Sequence, residues 1–269
     1  MPLRRIKKIL EYLFANKRNL AILIGLIILS IIVEVFEFWN NPISFAIAVI
    51  FEAVTSAIVI GYGVQVTHDI IHDGVELPFI KIKKAIKLGV EFVIVNQVYY
   101  LAQLFILSVL AGMFELPDFE LEEVFLHIGH IIGYFYEHDP VQTTIFILLC
   151  IVVTYIFTFF MEIGIGKLAD GERLIDAFNL IEIKRYIDSI GWLNYAKDYT
   201  LIIITMGILI YLRFGFEIVS LGFFKSVFNT IFTFLLFMLQ FIAIGWVYKE
   251  GKFKEKNDTE NDSEIKTIE

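Results

Sequence analysis

A single cysteine, Cys150, in a chain of 269 residues excludes an intrachain disulfide and any thiolate metal cluster. It sits inside an apolar run and reads as a packing residue. Also missing are a Gly-rich phosphate loop, a serine-nucleophile elbow and a lysine-rich patch with interleaved aromatics. No cofactor is therefore implied, and no nucleic-acid partner. The most informative scarcity is of positive charge in particular places: the stretch from Glu115 to Pro140 holds no Lys or Arg and seven acidic residues.

What is abundant is apolar. The chain is 58% hydrophobic and 16% aromatic, with a mean hydropathy of +0.73, a composition of membrane and not soluble proteins. A helix needs about 20 apolar residues to cross a hydrocarbon core roughly 30 Å thick, because no backbone polar group can stay unpaired in lipid. Six runs approach that length: Leu20 to Phe38, Pro42 to Tyr62, Glu91 to Phe114, Val141 to Ile165, Tyr199 to Phe216 and Ser226 to Tyr248. The fold class expected is an all-α membrane helical bundle of six spans (20–38, 42–62, 91–114, 141–165, 199–216, 226–248).

Cytoplasmic loops collect Lys and Arg. With six spans, twenty of the twenty-two basic residues fall on one side, and only Arg213 and Lys225 fall on the other. Both termini are then cytoplasmic, in the cell membrane. A cleaved signal peptide is the competing account of the first run, but that run exceeds the usual h-region of about 7 to 15 residues and no small-x-small cleavage site follows it. Residues 1–19 read as a basic interfacial helix, with Ile6, Ile9, Leu10, Leu13 and Phe14 as its apolar stripe. Residues 249–269 are highly charged with almost no apolar residue, which predicts a disordered tail. The sequons at Asn257 and Asn261 would go unused there.

Two cytoplasmic loops echo each other. Ile80-Lys-Ile-Lys-Lys-Ala-Ile86 answers Ile181-Glu-Ile-Lys-Arg-Tyr-Ile187, each followed by a glycine, Gly89 or Gly191. Chance similarity between short Ile/Lys-rich stretches is the alternative to a true repeat. In the second loop Ile175, Phe178, Leu180, Ile183 and Ile187 alternate with charge, a pattern that buries one face among headgroups. Lys81, Lys83, Lys84, Lys87, Lys184 and Arg185 are the candidate contacts to anionic inner-leaflet lipid.

Gly61-Tyr62, Asp73-Gly-Val-Glu-Leu-Pro-Phe79 and Leu88-Gly89, with Lys167-Leu-Ala-Asp-Gly-Glu-Arg-Leu-Ile-Asp-Ala-Phe178 and Gly191-Trp-Leu-Asn-Tyr195, resemble a prokaryotic membrane family, domain of unknown function four-thousand-and-thirteen. That resemblance implies a multi-pass archaeal or bacterial protein. It carries no activity and no catalytic residue. Members tend to have Arg after the Gly-Tyr pair, where this chain has Gln65, His68 and His72.

Glu52 lies about halfway along the second span, where an ionised side chain costs about 2.5 kcal/mol or more. At similar depth lie Tyr99, Tyr100 and Gln103, then Thr154 and Tyr155, and Gln240. This belt is either an ion or solute site or a set of interhelical hydrogen bonds locking the bundle. His68 and His72 have metal-ligand spacing but no third ligand in sequence, and contact with lipid headgroups is the preferred account of them. In the outer stretch Glu123, His127 and His130 share a helical face and form a candidate divalent-cation site, which a solvated polar face would imitate.

These residues support a non-enzymatic membrane role, organising lipid or membrane partners through the basic loops. The alternatives are a small transporter or channel using Glu52, and a metal-dependent lipid-modifying enzyme using the outer histidines. Whether the chain has a protein partner or pairs with itself is open.

Overall fold

The computed structural model describes residues 11–13, 17–37, 42–114, 139–219 and 223–268. Among these every regular element is helical. In chain order they are α1 (Lys17–Glu37), α2 (Pro42–Ile71), α3 (Ile82–Met113), α4 (Pro140–Asp170), a 3-10 turn (Leu174–Phe178), α5 (Leu180–Ile190), α6 (Trp192–Val219) and α7 (Phe223–Ile268). Proline opens α2 and α4, at the one helical position where its missing N–H costs nothing.

Five segments are long and apolar enough to cross a membrane: Val49–Ile71, Ile82–Met113, Pro140–Asp170, Trp192–Gly215 and Phe228–Lys252. The sixth expected span falls on α1, which is not among the five. Its uncharged stretch runs only from Asn19 to Val33, bounded by Arg18 and Glu34, short of the roughly 20 residues a span needs.

The basic ends of the spans also differ from expectation. Lys83, Lys84 and Lys87 are not in a loop but in the first turns of α3, so the link from α2 is only residues 72–81. The helix begins there because Pro78 and Gly74 confine the break to the preceding turn. At the other end, α7 continues to Ile268, through the tail whose composition predicts disorder.

The chain divides into two packed units. One comprises 1–95 and 162–269, the other 96–161. In the second, the outer parts of α3 and α4 pair through Gln103 Nε2 donating to Thr154 Oγ1 at 3.0 Å and Gln142 Nε2 donating to the Phe114 carbonyl at 2.7 Å. Leu101, Phe105, Val141, Leu148 and Ile151 stay 56–68% exposed, the surface of helices meant for lipid.

In the first unit α7 packs on α1, α2, α5 and α6. A core of Leu13, Leu23, Leu26, Tyr62, Val66, Ile70, Leu77, Phe234, Met238 and Ile242 joins α1, α2, α7 and the link after α2. Leu13, from the expected interfacial stripe, is buried here at 1% exposure, while Ile6, Ile9, Leu10 and Phe14 lie outside the described residues. Thr67 Oγ1 crosses to the Phe241 carbonyl at 2.8 Å, fixing the register of α2 against α7.

α2 and α3 cross through small residues. A side chain at Gly61 would fall on the carbonyl of Ala85, and one at Gly89 on the carbonyl of Ala57. Ala57 and Gly61 on one helix thus interlock with Ala85 and Gly89 on the other, both pairs in small-xxx-small spacing. Gly61→Ala and Gly89→Ala should each destabilise the protein by about 1–3 kcal/mol through overpacking, non-additively since both act on one crossing. Gly112→Ala, where a Cβ meets nothing within 4 Å, should not lower stability. Thermal midpoints in one detergent check this, and equal midpoints for Gly61→Ala and Gly112→Ala would refute the crossing.

Candidate functional site

α2 and α4 both end in the turn that glycine usually closes. At α4 the Gly171 N–H bonds the Leu168 carbonyl and the Glu172 N–H bonds that of Lys167, each at 3.2 Å, with Gly171 at φ +100°. This is a Schellman motif. α2 repeats it with Asp73 N–H to Ile70 at 3.3 Å and Gly74 N–H to Asp69 at 2.8 Å, but there Asp73 takes the left-handed position at φ +67°. Asp and Asn tolerate that conformation best after glycine. Gly74 is needed next to it because a Cβ would strike the Asp69 carboxylate.

The sequence signal for this pair is Asp73-Gly-Val-Glu-Leu77 against Asp170-Gly-Glu-Arg-Leu174, a match that sequence reading passed over. The repeat it chose instead pairs residues with different roles: Gly89 lies within α3 at a helix crossing, whereas Gly191, at φ +89°, ends α5. Both Asp side chains meet α7. Lys249 Nζ lies 2.6 Å from Asp73 and Lys252 Nζ 2.7 Å from Asp170. A carboxylate at a helix C-terminus opposes the helix dipole, and these lysines offset the penalty.

Around them the polar groups are satisfied in turn. His68 Nδ1 donates to the Ala169 carbonyl at 2.7 Å and His72 Nδ1 to the His68 carbonyl at 2.8 Å. His72 Nε2 stands 3.4 Å from Asp170, a contact that becomes an ion pair when the ring takes a second proton. With both Nδ1–H groups on carbonyls, each ring presents Nε2 as its other nitrogen, and that of His72 faces Asp170. Among the described residues no group of three His, Cys, Asp or Glu is placed to hold a metal. Lys167, only 8% exposed, bridges Glu172 and Glu182 at 2.8 Å each.

α5 is capped by Asn179, whose side chain accepts from the Glu182 N–H at 3.2 Å. Its apolar face, Ile183, Tyr186, Ile187 and Ile190, is buried, with the Tyr186 hydroxyl donating to the Tyr248 carbonyl of α7. Protein therefore covers Ile183 and Ile187 of the stripe expected among headgroups, while Ile175 stays exposed. Leu180 and Ile181 remain exposed on its other side. Lys184 pairs with Asp188 at 2.9 Å, and Arg185 is exposed.

A cavity of about 430 Å³ opens between the α2 end, the 72–81 link and the start of α3. Arg18 closes one wall, bonded to Glu76 and to the Leu77 carbonyl at 2.8 Å each, its guanidinium 4.4 Å from the Phe79 ring centre. Tyr12 donates to Asp69 at 2.9 Å, and its phenol is held well above the usual range by burial first and then by that carboxylate. Tyr62 donates to the Pro78 carbonyl at 3.1 Å. Gln65 clips the Lys81 peptide from both sides at 3.4 Å. Lys81 and Lys84 line the cavity with side chains that have no partner among the described residues.

Of the midplane belt, Gln103 meets Thr154, Tyr99 is buried and Tyr100 half-buried. These belong to one unit, while Glu52, exposed and without a partner among the described residues, and half-buried Gln240 belong to the other. Glu162 on α4 is buried. Glu123, His127 and His130 lie outside the described residues.

Asp73 titrates below the usual carboxylate range because Lys249 bonds and attracts its charged form. Its contribution to stability is therefore present above the unfolded carboxylate pKa and is lost as pH falls through the lowered one. Asp73→Asn keeps the left-handed turn and removes the charge, so its thermal midpoint should fall less than wild type's between pH 6 and about pH 3. Identical pH profiles would show that the pair does not form.

A family model described as "Protein of unknown function (DUF4013)" matches residues 44–216. No curated protein and no solved structure matches the chain.

Proposed function

The chain belongs to this family of proteins of unknown function, and from that membership and its five apolar helices we propose a non-enzymatic, six-span protein of the cell membrane. Both termini are cytoplasmic, α1 supplies the sixth span, and the protein organises anionic lipid at the inner leaflet.

One observation carries the reading. Lys81, Lys83 and Lys84 are exposed within four residues at the start of α3, with no ion-pair partner among the described residues, and exposed Phe79, Ile82 and Ile86 lie between and beside them. Four cations elsewhere, Arg18, Lys167, Lys249 and Lys252, each hold a carboxylate, whereas Lys17, Arg185 and Lys197 are single exposed charges outside such a cluster. Apolar side chains that enter the boundary between headgroups and acyl chains, interleaved with free ammonium groups, suit an anionic leaflet, where each Lys contributes about 1 kcal/mol. The helix order also supports six spans, since counting α1 keeps the basic and acid-rich segments on opposite sides. A transporter centred on Glu52 would need a protein-lined site around that carboxylate, and Glu52 is exposed.

In nanodiscs of phosphatidylcholine doped with spin-labelled lipid, labelled phosphatidylglycerol should be retained at the protein surface about threefold over labelled phosphatidylcholine at low salt. The preference should shrink toward 1 M salt as screening shortens its range. Equal association of both lipids at every salt concentration would sink the proposal.

A further inference from the structure

We infer that the cavity between Arg18, Asp69 and the start of α3 is a specific site for one phospholipid headgroup carrying a single phosphodiester. This rests on the lipid reading above and goes further: a diffuse basic surface prefers anionic lipid, whereas a cavity selects a headgroup and holds it.

Its volume of about 430 Å³ falls within the roughly 300–1,000 Å³ of small-molecule sites. The two unpaired cations on its wall are Lys81 and Lys84, three residues apart and so on one face of the helix start. Lys83 and Lys87 do not line it. Gln65 fixes the Lys81 peptide on both sides, so the first ammonium springs from an anchored point. The N–H groups of Ile82, Lys83 and Lys84 precede the first intrahelical donor of α3, Ala85, and add the positive end of a helix dipole beside the two lysines.

The opposite wall sets the selectivity. Glu76 is held by Arg18 at 2.8 Å and Asp69 accepts from Tyr12 at 2.9 Å, so both carboxylates are fixed and neither can swing onto the lysines. They repel a second or third phosphate, which disfavours nucleotides and polyphosphates, and Asp69 can still accept from a headgroup hydroxyl. Phe79, 66% exposed, and Ile82, 58% exposed, offer apolar surface at the rim where a glycerol backbone and acyl chains would leave the cavity. A phosphatidylglycerol-type headgroup satisfies each wall.

The test uses the full chain in uncharged detergent, titrated with short-chain phosphatidylglycerol and followed by native mass spectrometry. Lys81→Ala/Lys84→Ala should weaken binding about tenfold or more, through loss of two charge-assisted contacts. Lys17→Ala/Lys197→Ala, outside the cavity and outside the lysine cluster, removes the same charge and should change it less than about twofold. Lys81→Arg/Lys84→Arg, which preserves charge and phosphate bonding, should retain binding and so excludes misfolding as the cause. Glycerol 1-phosphate at the same concentration should not displace the lipid. Equal weakening by both alanine pairs would overturn the cavity and leave the diffuse lipid preference standing. No weakening by either pair would overturn both. Displacement by glycerol 1-phosphate would overturn the lipid as ligand in favour of a soluble phosphate ester.

Discussion

Lys249 and Lys252, three residues apart on the last helix, hold the carboxylates that end the second and fourth helices, and the buried packing of α7 upstream of them carries the arrangement of the larger unit. Two helix C-termini that each carry an aspartate would be repelled from their own dipoles. Bringing one α7 face between them turns two local penalties into ion pairs. The same register places Gly245 against Ile70 and Thr67, the Phe241 carbonyl on the Thr67 hydroxyl, and Gly251 against Ile190 and Tyr186. A residue larger than glycine at 251 would meet Ile190 and Tyr186 side-chain atoms at 2.6 Å, so the helix can slide neither way.

Such pinning matters more in a bilayer than in water. Lipid tails are as apolar as leucine, so burying Phe234, Met238 and Ile242 against α1 and α2 gains close packing but little solvent release. Specificity then comes from contacts that lipid cannot imitate: carbonyl-lined close approach at Gly61 and Gly89, the Thr67 crossing bond, and Lys167 bridging Glu172 and Glu182. These sit toward the basic ends of the helices. The parts of α3 and α4 in the smaller unit, with broad exposed apolar surfaces, pair through Gln103 to Thr154 and Gln142 to the Phe114 carbonyl.

The same division explains what could be read from the residues alone. Hydropathy reports whether a segment can enter lipid, so five spans and the all-helical class were legible, and α1 was ambiguous because Arg18 and Glu34 crop its uncharged stretch. Periodicity reports that a face is apolar but not what covers it. The stripe of α5 therefore suggested headgroups, and protein covers Ile183 and Ile187. Depth along a helix does not give direction around it, which is why Glu52 looked central and is exposed, while Glu162, placed near a span end, is buried. The Asp-Gly pairs were visible as letters, but their meaning lies in a one-residue offset: Asp73 occupies the left-handed position that Gly171 takes in the other turn. Only backbone geometry reveals that offset.

Counting basic residues by side of the membrane treats every Lys and Arg as equivalent, yet their surroundings separate them into two populations. Arg18, Lys167, Lys249 and Lys252 each face a carboxylate at 2.6–2.8 Å and serve the fold. Lys81, Lys83 and Lys84 face none among the described residues, although Asp69 and Glu76 line the same cavity as two of them. Those carboxylates are engaged by Tyr12 and Arg18, so the lysines are kept from the nearest internal neutralisation. Three like charges within four residues at a helix start repel one another, though the helix dipole disfavours them further rather than relieving them. On the lipid reading proposed above, the negative charge that compensates this repulsion is a phosphate from outside the chain.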